Sequence, residues 1–129
     1  MSGNPIRGML LNGDKTEAAG YFNLNPAQKT ILFLGGSQGA AFINELVIAG
    51  IVQSVRDFQL IHQTGPKNFE SVKQEIDRIK KEGLATYGAE IEKNYRIYGF
   101  LNEDELKKAY AFCDLVVARA GANLIFEIA

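Results

Sequence analysis

The sequence predicts an α/β fold in which a parallel sheet is flanked by helices, a Rossmann-like doubly wound arrangement. Short apolar runs alternate with longer amphipathic segments along the chain, which gives the order βαβαβαβα. Strands joined through helices lie parallel, and their crossovers are right-handed. The last run, residues 114–118, is nearly all apolar, as expected for a strand covered on both faces.

The individual elements follow from hydrophobic periodicity and from turn residues. We expect residues 1–28 to form a linker and a first short helix, and residues 29–129 to form the core of a single domain. Strands are predicted at residues 29–34, 58–62, 95–100 and 114–118. Helices are predicted at 14–21, 40–52 and 67–81. A further helix is predicted to begin at a capping box formed by Asn102 and Glu105 and to run to about residue 112. A last helix is predicted to open at Gly121.

The junction between the first strand and the next helix indicates a ligand site. It reads Gly35-Gly36-Ser37-Gln38-Gly39. Backbone N–H groups and the positive helix end at such a junction attract an anion, usually a phosphate, and glycines let the ligand approach closely. The junction has neither the P-loop lysine nor the G-x-G-x-x-G spacing, so its residues leave open a phosphate site and a tight turn.

Composition excludes several classes of protein. The 129 residues suffice for one domain, and a formal net charge of −1 gives no electrostatic support for nucleic-acid binding. A single cysteine, Cys113, rules out an internal disulfide and a CxxC site. No apolar run approaches the ~20 residues of a membrane-spanning helix. The only histidine, His62, closes a buried strand, which favours a structural role over a catalytic one.

Four motifs, in their order and spacing, resemble the MurG family of bacterial glycosyltransferases. They are Gly3-Asn4-Pro5-Ile6-Arg7, Gly35-Gly36-Ser37-Gln38-Gly39-Ala40, His62-Gln63-Thr64-Gly65, and Ala118-Arg119-Ala120-Gly121-Ala122 with Glu127-Ile128-Ala129. The resemblance covers essentially the whole chain. It corresponds to the first part of the C-terminal, donor-binding domain of a two-domain GT-B enzyme, without the N-terminal acceptor domain.

The resemblance implies an inverting hexosyltransferase that moves N-acetylglucosamine from UDP-N-acetylglucosamine to lipid I, giving lipid II for peptidoglycan. It implies a cytoplasmic protein, peripheral on the inner face of the cell membrane at full length, with no cofactor. The absence of an Asp-x-Asp motif argues against a metal-dependent transferase. We assign no catalytic residue, because the general base is expected in the absent domain. This piece is expected to bind the donor only, with the acceptor held by the absent domain.

The resemblance also implies which residues contact the donor. Arg7 and the glycine junction are expected at the diphosphate, Leu101 with Phe100 beside it at the uracil, and Glu127 at the ribose hydroxyls. On a helix that opens at Gly121, Glu127 would lie ~9 Å along the axis, within reach of a ribose next to the diphosphate. The family commonly has a threonine where this chain has Leu124, which cannot donate to a phosphate. The full donor-binding set is Arg7, Gly36, Ser37, Gln38, Gly39, Phe100, Leu101, Gly121, Ala122 and Glu127.

Two other interpretations remain open from the sequence. One is a different GT-B transferase that uses a UDP-sugar, such as a glycolipid synthase or the soluble subunit of a dolichol-type transferase. The other is a UDP-sugar-binding module without chemistry of its own.

Overall fold

A computed structural model describes residues 14–35, 40–120 and 123–128, with side chains described from 16 to 35 and from 42 to 118. The elements in these ranges are α1 (Asp14–Phe22), β1 (Thr30–Leu34), α2 (Ala40–Asp57), β2 (Gln59–Gln63), α3 (Phe69–Glu82), α4 (Gly88–Asn94), β3 (Tyr95–Tyr98), α5 (Glu103–Phe112), β4 (Leu115–Ala120) and β5 (Asn123–Ile128).

The sheet has the strand order β3-β2-β1-β4-β5. The strand β1 pairs in parallel with β2 and β4, and β2 pairs in parallel with β3, so the predicted Rossmann-like parallel sheet is confirmed for these four strands. Leu34 lies opposite Gln63, and Gln63 lies opposite Tyr98. The carboxyl ends of β1, β2 and β3 therefore form one row at a single edge of the sheet.

The core has two layers, one on each face of the sheet. Successive residues of a strand point to opposite faces. Accordingly, Phe33 packs with buried side chains of α2, α3 and α4, whereas its neighbour Leu32 packs with those of α1 and α5. Helices thus cover both faces, which explains why the strands read as apolar runs without alternation.

The helix α2 is longer than the sequence predicted. Its buried face continues through Val47 and Ile51 to Val55, which is fully buried, and the helix ends at Asp57. Strand β3 is shorter than predicted and ends at Tyr98.

The helix α4 was not predicted. It spans Gly88–Asn94, and its one large apolar anchor is Ile91, which is fully buried. A seven-residue helix with a single such anchor is too short to show a helical period. Its end is fixed by a polar contact: the Asn94 side-chain amide donates to the Val55 carbonyl at 2.7 Å. Hydrophobic periodicity cannot predict such a contact.

The last predicted helix is wrong, because this segment forms the strand β5. Asn123 to Ile128 pair antiparallel with β4, from Ala120 opposite Asn123 to Leu115 opposite Ile128. A short apolar run such as Leu-Ile-Phe fits a strand as well as a helix, and pairing with β4 decides for the strand.

Two glycines in helices should respond oppositely to alanine. At Gly88, a Cβ would lie 2.6 Å from the Lys80 carbonyl oxygen and 2.8 Å from that of Gly83, so Gly88→Ala should lower the free energy of unfolding by ~1–3 kcal/mol. At Gly20 in α1, a Cβ would meet nothing within 4 Å, so Gly20→Ala should raise it by ~0.5–1 kcal/mol. Urea denaturation of both variants tests the pair, and equal effects of the two substitutions would contradict the packing described around α4.

Candidate functional site

The carboxyl edge of the sheet holds the start of the glycine junction in place. The N–H of Gly35, which is buried, donates to the backbone carbonyl of Gln63 at 2.8 Å. The first residue of the junction therefore extends the pairing of β1 with β2 by one hydrogen bond beyond the end of β1. The remaining predicted residues of this junction, 36–39, lie outside the described residues, as do Arg7, Gly121 and Ala122.

The helix that follows the junction has an uncompensated positive end. The first turn of α2 contains no acidic residue, whereas the first turns of α3, α4 and α5 all do. Acidic side chains in a first turn offset the helix dipole. The amino end of α2 therefore retains a favourable field for an external anion.

The loop between β3 and α5 places Phe100 and Leu101 at the same edge. The Leu101 side chain is 2% exposed, and its N–H donates to the side-chain oxygen of Gln63 at 2.8 Å. The Phe100 side chain is 65% exposed. The buried leucine thus anchors the loop and leaves the neighbouring aromatic ring open to solvent.

A capping box fixes the next residue of this loop, as predicted. The Asn102 N–H donates to Glu105 Oε1 at 3.0 Å, and the Glu105 N–H donates to Asn102 Oδ1 at 2.8 Å. The Tyr21 hydroxyl of α1 donates to Glu105 Oε2, and this bond is the main cause that raises the pKa of Tyr21 to about 12. The same bond and that from Asn102 hold the pKa of Glu105 below its usual value. One carboxylate therefore joins α1 to the loop.

The histidine is structural in this arrangement. Tyr95 Oη lies 2.7 Å from His62 Nδ1, and Asn44 Oδ1 lies 2.7 Å from His62 Nε2. Because the Asn44 amide nitrogen donates to the Thr64 carbonyl at 3.2 Å, its oxygen faces the ring, so Nε2 donates and Nδ1 accepts from Tyr95. The ring is fully buried, and burial lowers the pKa of His62 to about 3. A neutral ring with both nitrogens bonded is not placed to act as a base.

Comparison with known proteins identifies the fold family. Residues 30–129 match the glycosyltransferase family 28 C-terminal domain. The chain belongs to this family.

Several curated proteins are similar to this family 28 chain over nearly its whole length. They come from Bacteroides fragilis (40% identical, covering 98% of the chain and 31% of the relative), Halothermothrix orenii (38%, covering 99% and 33%) and Clostridium perfringens (33%, covering 99% and 31%). Each is named UDP-N-acetylglucosamine–N-acetylmuramyl-(pentapeptide) pyrophosphoryl-undecaprenol N-acetylglucosamine transferase. The chain spans about a third of the length of these relatives. No solved structure matches it at a significant level.

The structure does not bring Glu127 to this edge. It lies on β5 opposite Val116, and β4 runs on to Ala120, so its backbone is ~13 Å from the carboxyl end of β4 at ~3.3 Å per residue. The spacing argument from a helix opening at Gly121 is therefore wrong. The ribose-binding role of Glu127 stays a prediction that rests on the family resemblance.

The sequence analysis assigned no role to two residues that organise the site of this family 28 domain. Gln63 binds both the glycine junction and the Leu101 loop, and its signal was a polar residue directly after a buried strand. Asn44 is 4% exposed and interrupts the apolar face of α2, a position where a polar side chain requires buried partners.

Two kinds of feature are absent from the part of the chain that the structure describes. It holds no group of three or more His, Cys, Asp or Glu side chains placed to bind a metal ion. Within the same residues, none of the helices has both the length and the apolar character needed to cross a bilayer.

The burial of His62 should make folding stability depend on pH. Its pKa falls from 6.5 to about 3 on folding, so below pH 6.5 the unfolded chain binds a proton that the folded chain does not. Stability is then full above pH 6.5 and declines as the pH falls, by ~2 kcal/mol between pH 7.5 and 5.

Urea denaturation across this range measures the decline for the wild type and for His62→Gln. His62 is the only histidine, and carboxylates titrate mainly below pH 5, so the substitution should flatten the profile. Equal slopes in the two proteins would show that His62 is not held neutral in the folded state.

Proposed function

We propose that the chain binds the donor nucleotide of an N-acetylglucosamine transferase that uses UDP-N-acetylglucosamine. In the whole protein, the sugar passes to lipid I and gives lipid II for peptidoglycan synthesis on the inner face of the membrane. The observation that supports the proposal is that Gly35, which opens the glycine junction, and the Leu101 loop lie at one edge of the sheet. Relatives whose name states this transfer align with nearly the whole chain.

The diphosphate is assigned to the glycine junction and the amino end of α2. Backbone N–H groups and an uncompensated helix end favour a double negative charge there. Ser37 adds a hydroxyl, and Arg7 adds a guanidinium whose planar fork suits phosphate oxygens.

The uracil is assigned to the Leu101 loop. The loop lies at the same carboxyl edge as the glycine junction, with the end of β2 between them. Its backbone is fixed from two sides by Gln63 and by the capping box, so recognition of a base requires little ordering of the loop. The exposed Phe100 ring supplies apolar surface beside the base.

The reaction follows from this arrangement of charges. A hydroxyl of the acceptor attacks the anomeric carbon of N-acetylglucosamine, the bond from that carbon to the diphosphate oxygen breaks, and UDP leaves with the electron pair. The attacking hydroxyl gives its proton to a base that the acceptor domain is proposed to supply. The junction N–H groups, the α2 end and Arg7 stabilise the charge that develops on the departing diphosphate.

Donor binding should show base specificity and depend on the glycine junction. The chain should bind UDP and UDP-N-acetylglucosamine in calorimetric titrations and bind GDP at least tenfold more weakly. Gly36→Val should abolish UDP binding, because a side chain there blocks the approach of the diphosphate.

The matched control is Gly50→Val on α2, where a Cβ would meet only the Ser54 hydroxyl, at 3.7 Å. This variant should keep its affinity for UDP. Equal binding of GDP and UDP would contradict the uracil assignment, and equal loss in both glycine variants would contradict the role of the junction.

The two charged residues predicted at the donor should be separable by the ligand used. Arg7→Ala should weaken UDP far more than uridine, because its proposed partner is the diphosphate. Glu127→Ala should weaken both ligands alike, about tenfold or more for a charged hydrogen bond of ~1.5–3 kcal/mol.

Glu70→Ala, which removes an exposed carboxylate on α3, is the control for the change of net charge. If Glu127→Ala leaves the affinity for uridine unchanged, Glu127 does not bind the ribose.

A further inference from the structure

The strand β3 forms one edge of the described sheet, and a groove of about 750 Å³ lies beside it. Tyr95, Arg96 and Ile97 of this strand line the groove, together with residues that follow α1 and with one face of α3. Its volume falls within the ~300–1,000 Å³ of pockets that bury a ligand. We propose that this β3 groove binds an extended acidic segment of a partner protein, which adds to the sheet as a further strand.

The backbone of β3 presents hydrogen-bonding groups to the groove. Along a strand, the N–H and C=O of one residue point to the same side, and those of the next residue point to the opposite side. The Thr64 N–H donates to the Tyr98 carbonyl at 2.8 Å, so the backbone groups of Tyr98 and of Arg96 face β2. Those of Ile97 therefore face outwards, and no described residue bonds to them. An unpaired edge of this kind is a template for an added strand.

The outward groups of the preceding residue are already occupied within the chain. The Tyr95 N–H donates to the Ile91 carbonyl, and the Tyr95 carbonyl accepts from Arg96 Nη1 at 2.9 Å. The open part of the edge is therefore centred on Ile97. This residue can exchange both an N–H and a C=O bond with an added antiparallel strand.

The charge of the groove indicates the chemistry of the partner. Lys73 and Lys80 form ion pairs with the two acidic residues of the lining. The Arg96 guanidinium instead donates to four backbone carbonyls at 2.8–3.0 Å, and Lys93 is exposed; neither forms an ion pair with a described carboxylate. The lining thus has a net charge of +2, with four basic and two acidic side chains: Lys73, Lys80, Lys93, Arg96, Asp77 and Glu92.

This charge favours an acidic segment over a second copy of the chain. Two β3 grooves that faced each other would bring two positively charged linings together, and like charges on paired strands are destabilising. An acidic segment neutralises Lys93 and Arg96 while its backbone bonds to Ile97. The side chains of Leu24 and Ile76 also line the groove, so apolar residues between the acidic ones fit it.

The test uses a hexapeptide that alternates glutamate with valine and is blocked at both ends, and a counterpart with lysine in place of glutamate. Binding of each peptide to the full chain is followed by NMR titration. The glutamate peptide should bind and shift the amide signal of Ile97, and added salt should weaken it. The lysine peptide should bind at least tenfold more weakly.

Two pairs of variants separate charge from strand addition. Lys93→Glu should weaken the glutamate peptide about tenfold, whereas Lys107→Glu should not, because this exposed lysine of α5 lies outside the groove. Ile97→Pro removes the outward N–H without removing a bond to β2, a position where strands tolerate proline, and should weaken the peptide at least fivefold. Ile97→Val keeps the N–H and should bind as the wild type does. If Ile97→Pro does not fold, the lysine variants decide.

The results either support or overturn the proposal. Glutamate-selective binding that shifts Ile97 and is lost in Lys93→Glu but not in Lys107→Glu supports it. Equal affinity for both peptides, binding of neither, or equal loss in the two lysine variants would overturn it. An Ile97 shift that depends on protein concentration without peptide would assign the edge to a second copy instead. The donor-binding function is tested separately, because Phe100 and Leu101 do not line this groove.

Discussion

The site depends on a constraint of parallel sheets: the strands end together, and their last backbone groups need partners that the ladder no longer supplies. In this chain the loops supply them. The Gly35 N–H bonds to the Gln63 carbonyl, and the Thr64 N–H bonds to the Tyr98 carbonyl, both at 2.8 Å. The first bond continues the pairing of β1 with β2 by one residue, and the second continues the pairing of β2 with β3. The start of each loop is therefore held as firmly as the sheet.

A buried series of hydrogen bonds through His62 links the strands, α2 and the loop after β2 below the carboxyl edge. It runs from Tyr95 on β3 through His62 on β2 to Asn44 on α2, and from there to the carbonyl of Thr64. Leaving one buried member without its partner costs ~1–3 kcal/mol, so strand, helix and loop keep a single relative position. These hydrogen bonds thus fix the position of α2 relative to the loop after β2. The amino end of α2 is proposed to face the diphosphate.

The sequence predicted those parts of the fold that depend on long apolar patterns. The four parallel strands, α3 and the Asn102 capping box follow from periodicity and cap chemistry, which act within a few residues. What it missed depends on contacts between distant residues. The helix α4 rests on Ile91 and on the bond from Asn94 to Val55, and β5 rests on pairing with β4, which the apolar run of residues 124–126 does not reveal. In the site, Leu101 and Phe100 were assigned to the uracil from the family resemblance, whereas Gln63 was quoted in a motif without a role, because its partner lies in another loop.

The support for the Leu101 loop also reaches beyond the edge of the sheet. Glu105 accepts from Asn102 with one oxygen and from Tyr21 with the other, and the Lys108 ammonium lies 5.3 Å from the centre of the Tyr21 ring. The helix α1 is thereby tied to α5 by a hydrogen bond and a cation–π contact near the surface, where such contacts contribute little energy. The value of these contacts is geometric: the same carboxylate that joins α1 to the loop also directs the peptide between Leu101 and Asn102. The loop is therefore held by Gln63 from the sheet and by Glu105 from the helix. Gln63 fixes the peptide between Phe100 and Leu101, and Glu105 fixes the peptide between Leu101 and Asn102.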